Sequence, residues 1–512
     1  MAQEIVERII AAVLSGKVTD RDGLQRLKMR LCAECGPDKV PANSAILAQV
    51  APADRAKLLP LLVKKPMRTA SGVSVVAVMT SPYPCPHGRC SYCPGGVANS
   101  SPQSYTGKEP AARRAVANHF DPYDQVADRL RQLTEVGHVT DKVDLIIMGG
   151  TFTSRDHQYQ EWFVRRCFDA LNGTAAGTLG RAQALNVRAA HRCVGLTVET
   201  RPDYFCRPEQ VDWMMQLGAT RVELGVQILD DEVLKGVDRG HGTAAVRAAT
   251  QLCKERGLKV CYHIMPGLPG SSPEHDYDCF RRVFDDPAYR PDMLKFYPTL
   301  VVPGTRLYDQ WQAGKYTPLD TETAVALLAK MKAYVPEYVR IQRIQRDIPV
   351  PEIAAGILKS NLRQLVQERM AQEGAACRCI RCREVGRTGV QPPADPAEIE
   401  LKVSEYEASG GRERFLALEY HDSIAGYLRL RTDDGERASV RELKVAGQEE
   451  AIGVVGNGWQ HRGFGHLLLT EAEKYARQDG KAGIRITSGV GVREYYAALG
   501  YRLDAPYMVK DF

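Results

Sequence analysis

Between residues 70 and 300 short apolar runs alternate with longer amphipathic stretches, and this rhythm constrains the fold more than any other feature of the chain. The runs cover 73–79, 143–148, 194–198, 221–226, 259–265 and 293–297. Helix-length patterns occupy 122–137, 160–171, 208–217, 244–256 and 273–284. Alternation of this kind builds parallel strands joined by crossover helices. Six units in one run predict an α/β fold, a partial (β/α)6 barrel. Reacting groups in such a barrel gather at the C-terminal ends of the strands. The first run is followed by Cys85, Cys90 and Cys93, the second by Gly149-Gly150-Thr151-Phe152, and the third ends in Glu199-Thr200-Arg201. The fourth ends at Gln227, the fifth in His263-Ile264-Met265-Pro266-Gly267, and the sixth carries Lys295 and Tyr297. Turn formers alone would not give that set; one shared site does.

The flanks differ from the barrel and from each other. Residues 1–70 read as a basic helical region, with apolar residues at helical spacing in Ile5, Ile9, Val13 and again in Leu24, Leu27, Leu31. Twelve lysines and arginines there stand against seven acids, which is five of the chain's six net positive charges. A basic domain invites a polyanion. The barrel is expected over 71–373 and a Cys-rich, Pro-rich linker over 374–395. An α+β domain then fills 396–512, with strands at 399–403, 415–420, 424–431, 439–445 and 484–487 and helices at 460–478 and 492–499. No run approaches the ~18 apolar residues of a membrane span. The N-terminus carries Glu4 and Glu7 where a signal peptide would carry bases. A cytoplasmic location without membrane contact is therefore expected, and fourteen cysteines there are thiols or ligands rather than a disulfide framework.

Cys85-x4-Cys90-x2-Cys93 offers three thiolates within nine residues. A cubane iron–sulfur cluster usually takes four, so three local ligands leave one iron open, as a catalytic metal requires. A small molecule with an amine and a carboxylate can chelate that iron. The competing reading is zinc with His87 as fourth ligand. A second constellation, Gln460-His461-Arg462-Gly463-Phe464-Gly465, opens a helix after the strand that contains Glu442-Leu443-Lys444-Val445. Backbone N–H groups freed by glycine at a helix N-terminus suit a pyrophosphate. Tyr495 and Tyr496 follow on the next helix. A third, Cys377-x-Cys379-x2-Cys382, places three thiolates within six residues and suits structural zinc, with a fourth ligand from elsewhere. Arg378, Arg381, Arg383 and Arg387 around it would offset thiolate charge or contact phosphate.

The segments CPHGRCSYCPGG, QSYTGKEP, IIMGGTFTSRD, VETRPDY, ELGVQ, HIMPGLPGS and KFYPTLVVPGT together resemble the radical S-adenosylmethionine domain of the Elongator catalytic-subunit family. That family consists of tRNA wobble-uridine carboxymethyl synthases with a C-terminal GNAT-like acetyltransferase domain. The resemblance implies a [4Fe-4S] cluster on Cys85, Cys90 and Cys93. It implies S-adenosylmethionine along Gly149, Gly150, Glu199, Arg201, Gln227 and Lys295. It also implies acetyl-coenzyme A on Glu442 to Val445 and Gln460 to Gly465, with Lys142, Tyr495 and Tyr496 handling the acetyl end. The implied reaction transfers a carboxymethyl group derived from acetyl-coenzyme A to C5 of a wobble uridine. The implied partner is the anticodon stem-loop of tRNA, without accessory subunits. Lys64, Lys65 and Arg68 are candidate phosphate contacts. The alternative is a protein lysine acetyltransferase with Glu442 as general base, which leaves the three-Cys site unexplained.

Overall fold

Asp121 begins the first crossover helix, Pro122–Glu135, by accepting hydrogen bonds from the backbone N–H groups of Tyr123 and Asp124, and proline takes the first helical position. Val126, Leu130 and Leu133, spaced along one face, bury that helix against the sheet. Each such side chain contributes about 1.5–3 kcal/mol on burial. The next helix, His157–Asn172, is capped by Asp156 and stops at Gly173, whose φ of 69° only glycine adopts freely. Local chemistry of this kind sets the lengths of the crossovers, and the crossovers set a parallel sheet.

The computed structural model describes residues 2–35, 40–64, 69–450, 452 and 458–512. Its first sheet has seven parallel strands in sequence order. They are β1 (Ser74–Met79), β2 (Lys142–Met148), β3 (Arg192–Thr200), β4 (Arg221–Gln227), β5 (Lys259–Ile264), β6 (Met293–Phe296) and β7 (Arg340–Ile344). The six expected strands are there, and β7 extends the barrel by one more.

The second sheet also has seven strands: β8 (Glu400–Ala408), β9 (Gly411–Tyr420), β10 (Ser423–Thr432), β11 (Arg437–Val445), β12 (Gly483–Ile486), β13 (Arg502–Asp504) and β14 (Tyr507–Asp511). Strands β8 to β11 form an antiparallel meander. β11 and β12 pair in parallel only from Arg437 to Val440, so they part beyond that point. The helix Phe464–Gln478 packs its apolar face against this sheet. The N-terminal helices Ala2–Leu14, Arg21–Cys35, Asn43–Leu47 and Arg55–Leu62 enclose a separate small core around Ile5, Ile9, Leu24, Leu31 and Leu58. Lys65 and Arg68 lie outside the described residues. Among the described residues no helix is long and apolar enough to cross a membrane.

The barrel and the second sheet are joined by a buried ionic cluster. Arg441 binds both oxygens of Asp292 at 2.5 and 2.8 Å and also Glu413 Oε2 at 2.8 Å. Lys254 lies 3.6 Å from Asp292 and 3.7 Å from Glu413, and Arg429 and Arg431 complete the set. Each of these side chains is at most 1% exposed.

Candidate active site

The C-terminal ends of the barrel strands surround a cavity of about 100 Å³. Cys85, Cys90 and Cys93 line it together with Gly150, Glu199, Arg201 and Gln227. Cys85 Sγ lies 3.6 Å from Thr151 Oγ1, Arg239 Nη1 donates to Cys90 Sγ at 3.6 Å, and the Ser104 N–H donates to Cys93 Sγ at 3.2 Å. Burial pushes the Cys85 and Cys93 thiols up, which a metal would reverse by taking the thiolates. His87 Nε2 stands 3.3 Å from Cys90 Sγ. Ligand groups with all donor atoms within 4.8 Å of one another occur elsewhere in the described residues, but Cys85, Cys90, Cys93 and His87 do not form one. That wider spread suits a cluster of several irons better than one zinc ion. Gln227 Oε1, Arg201 Nη1 and His87 Nδ1 are buried beside it with no hydrogen-bond partner, so polar atoms wait for a guest. The residues present therefore fit a cluster with a polar ligand beside it.

The sequence-expected residues divide in detail. Gly150 lines the cavity, and a Cβ there would stand 3.9 Å from Cys85 Sγ. Gly149 serves packing instead: a Cβ there would come within 2.1 Å of Thr80 Oγ1. Lys295 lies below the cavity, ion-paired with Glu223 and 3.9 Å from Glu199 Oε1. Burial disfavours its charge, but Glu223 outweighs that and holds it protonated. Sequence reading missed Tyr105, whose hydroxyl donates to Glu199 Oε2 at 2.8 Å, and Arg343 on β7 with Arg346 and Asp347 just beyond it. The chain from Ser101 to Gly107 thus folds over the cavity, held by Arg346 donating to the Ser104 carbonyl.

A second cavity, of about 510 Å³, lies at the opposite ends of the same strands, against the second sheet. Lys142, Glu442 to Val445, Gln460 to Gly465, Tyr495 and Tyr496 all line it. The parting of β11 from β12 leaves no strand against 441–445 on that side; Gln460 Nε2 reaches the Val445 carbonyl at 3.4 Å, and the edge before it can take an extended ligand arm. Gly463 starts the helix Phe464–Gln478 at φ 82°, and a Cβ there would meet nothing within 4 Å. At Gly465 a Cβ would stand 2.6 Å from the Tyr495 hydroxyl. The loop and the strand edge fit a coenzyme A. Lys142 lines the cavity with its ammonium group already engaged. Its Nζ donates to the Glu450 carbonyl at 2.6 Å and to Gln460 Oε1 at 2.8 Å, which clasps the barrel to the glycine loop. Burial lowers its pKa against the pull of neighbouring acids. Glu442 is committed as well: Arg429 Nε donates to it at 2.9 Å and the Tyr427 hydroxyl at 3.1 Å. Burial would push its carboxyl up, yet Arg429, Lys259 and Lys444 hold it below the ordinary range.

Cys377, Cys379 and Cys382 bring three sulfurs within 4.8 Å of one another, and no fourth donor among the described residues joins them at that distance. Three of the four arginines around them are paired with acids, whereas Arg381 lies among Arg340, Arg363 and Arg387. Arg378 binds Glu337 at 2.9 Å and Asp422 at 2.7 Å, Arg383 is buried against Glu419 and Asp422, and Arg387 stands 3.5 Å from Glu384. They fasten the linker between barrel and second sheet.

Comparison with known proteins follows the same division. The chain matches the ELP3 N-terminal domain over residues 1–70, the Radical SAM superfamily over 80–282, the Radical_SAM C-terminal domain over 291–372 and the Acetyltransferase (GNAT) family over 385–501. It is 47% identical to a tRNA uridine(34) acetyltransferase of Methanocaldococcus jannaschii, over 99% of this chain and 97% of that one. It is 41% identical to Elongator complex protein 3 of Bos taurus, over 99% and 96%. A solved archaeal Elp3 from Methanocaldococcus infernus, with an N-terminal deletion (1-46), matches with a TM-score of 0.77 at 45% identity, over 87% of this chain and 100% of that one.

Proposed function

The chain belongs to the Elongator complex protein 3 family, with radical SAM and GNAT domains, and from that premise we propose that it makes 5-carboxymethyluridine at the wobble position of tRNA. The observation that carries this reading is the placement of the two cavities at opposite ends of one set of barrel strands. A thiolate-lined cavity and a coenzyme-shaped one, set end to end, suit a reaction that uses both.

Cys85, Cys90 and Cys93 would hold a [4Fe-4S] cluster, which with S-adenosylmethionine and a reductant would supply the radical chemistry needed to activate the acetyl methyl group. Glu199, Arg201, Gln227 and the Gly150 backbone hold the S-adenosylmethionine. Tyr105 and the loop that Arg346 pins keep water from the reacting end. Gly463 and the open edge of β11 take the coenzyme. Tyr495, whose hydroxyl packs against Gly465, and the buried Tyr496 flank its thioester. Lys142 fixes the loop through Gln460. Cys377, Cys379 and Cys382 hold a structural zinc, and the domains divide at 70, 373 and 395. The basic N-terminal helices receive the anticodon stem-loop, and the enzyme works in the cytoplasm without accessory subunits. Lysine acetylation is disfavoured because it needs a free carboxylate base, and Glu442 is tied to Arg429 and Tyr427. Nucleoside mass analysis of tRNA incubated anaerobically with reconstituted protein, reductant and both cofactors tests the proposal. Carboxymethyluridine is expected; acetylated protein with unchanged tRNA would overturn it.

A further inference from the structure

Between the two cavities the barrel is filled with polar rather than aliphatic side chains. Alternation puts Gly195, Thr197 and Glu199 of β3 on the inward face, with Arg221 and Glu223 of β4 and Lys259, Cys261 and His263 of β5. The strand register sets them in layers. Thr197 lies beside Arg221 and Arg221 beside Lys259; Glu199 lies beside Glu223 and Glu223 beside Cys261. Arg221 and Lys259 line the coenzyme cavity, whereas Glu199 and Glu223 line the cysteine cavity. Two residues of strand rise, about 7 Å, separate these layers.

Three polar atoms of this waist are buried and have no hydrogen-bond partner: Thr197 Oγ1, Arg221 Nε and Glu223 Oε1. Their residues are 0%, 7% and 0% exposed. Arg221 Nε faces Glu223 Oε1 at 3.8 Å, beyond hydrogen-bond reach. The other ends of both side chains are committed. Arg221 Nη2 donates to Asp144 Oδ2 at 3.2 Å, and Glu223 Oε2 accepts from His263 Nε2 at 2.8 Å and from Lys295. Neither can swing away to satisfy the orphaned atom. Buried polar groups without partners are uncommon, and three in two adjacent layers suit a polar guest.

We propose that this waist is the subsite for the acyl end of the coenzyme, where the thioester carbonyl accepts hydrogen bonds from Arg221 Nε and Thr197 Oγ1 and the methyl group points past Glu223 toward the cysteines. The inference rests on the coenzyme reading of the second cavity. Gly195 lines the coenzyme cavity at the lower end of β3, where any side chain would crowd Asp144 Oδ1 at 3.2 Å and Thr220 Oγ1 at 3.6 Å. Two donors on one carbonyl orient the methyl without touching it. Glu223 stays ionised, because Lys295, His263 and Arg221 together outweigh the cost of its burial. It therefore repels acyl groups that end in a carboxylate, so the subsite selects short neutral ones.

A short diazirine-bearing acyl-coenzyme A, photolysed on the full-length protein with and without excess coenzyme A, locates the acyl end without turnover. Label that coenzyme A competes away is expected on peptides spanning β3, β4 or β5. Competed label confined to Tyr495, Tyr496 and Lys444 overturns the subsite and leaves the coenzyme reading standing; no competed label overturns both. Thr197→Val and Arg221→Gln are compared in parallel for binding of acetyl-coenzyme A and of free coenzyme A. Loss of one carbonyl hydrogen bond is worth about fivefold in affinity, so each variant should lose about that much preference for the acetylated form. Affinity for free coenzyme A should stay within about twofold, less than one such bond. An unchanged preference in the isosteric Thr197→Val overturns the proposal even if the arginine variant fails to fold.

Discussion

Glu449 lies 6% exposed where the second sheet's domain meets β1 and β2. The Ser74 hydroxyl lies 2.6 Å from the Val139 carbonyl and 3.2 Å from Glu449 Oε2, and its hydrogen bond to the carboxylate opposes the effect of burial. Burial pushes that carboxyl up to about 8, against the opposing pull of Lys142. In the unfolded chain the group titrates near the ordinary 4.5, so the folded state holds the extra proton between the two values. Stability from this group is complete below about 4.5 and is lost as pH rises through about 8. Glu449→Gln should abolish that slope, which denaturant titrations at the two ends of the window would measure; an undiminished slope places the proton elsewhere. Gly463 makes a second residue-scale case. Gly463→Glu puts a carboxylate where a pyrophosphate would sit, and calorimetric titration should show acetyl-coenzyme A binding weakened at least about tenfold, about 1.4 kcal/mol. Its thermal midpoint should fall modestly as well, because φ 82° strains any residue with a Cβ even though that Cβ meets open space, so binding is compared well below the variant's midpoint. Unaltered binding would remove the glycine loop from the coenzyme site.

Sequence revealed strands through the aliphatic residues that at least one face turns to a core, whether or not the other face is buried: β4 and β6 are buried throughout, β2 alternates buried with half-buried residues, and β8 is mostly exposed. Strand β7 escaped notice because Arg340-Ile-Gln-Arg-Ile alternates charge with isoleucine. Arg340 is buried only because Glu384, forty-four residues later, neutralises it, and local pattern does not report such distance. The same limit applies to the sites. Cysteines and glycine loops are legible by spacing, but the meeting of Glu223, His263 and Lys295 from three strands is not. Nor is the commitment of Lys142 to a loop more than three hundred residues away. The contribution of β7 can be tested through Arg346, which lies just past its end and holds the Ser104 carbonyl over the cysteines. Arg346→Ala should raise amide exchange across Ser101–Gly107 by roughly tenfold, the size expected when one anchoring charged hydrogen bond is lost from a loop. Unchanged exchange would mean that Tyr105 alone secures the loop.

At the scale of the whole molecule, the buried cluster around Asp292 makes barrel and second sheet fold as one. Removing one partner of such a set leaves charge uncompensated, at a cost of about 3–5 kcal/mol. Asp292→Ala should lower stability by that order and split a single calorimetric transition into two; one transition at an unchanged midpoint would show that the domains cohere by other contacts. The basic N-terminal helices join this body with part of their charge already used. Lys28 donates to Asn43 at 2.8 Å, Arg21 to the carbonyls of Pro60 and Val63, and Arg8 to Glu34. Arg26, Arg55, Lys57 and Lys64 remain exposed. If these meet tRNA phosphates, neutralising all four should flatten the salt dependence of binding by about 0.7–0.9 in log–log slope per contact. An unchanged slope would move recognition off this face. The Asp292 cluster also bears on how such a chain is inherited. A gene rearrangement that exchanged the second sheet for a foreign acetyltransferase would strand Asp292 and Lys254 opposite strangers, and a change at Arg441 has to be answered at Glu413 or Asp292. The two halves can therefore diverge only in step, as a lineage of pairs rather than as interchangeable parts.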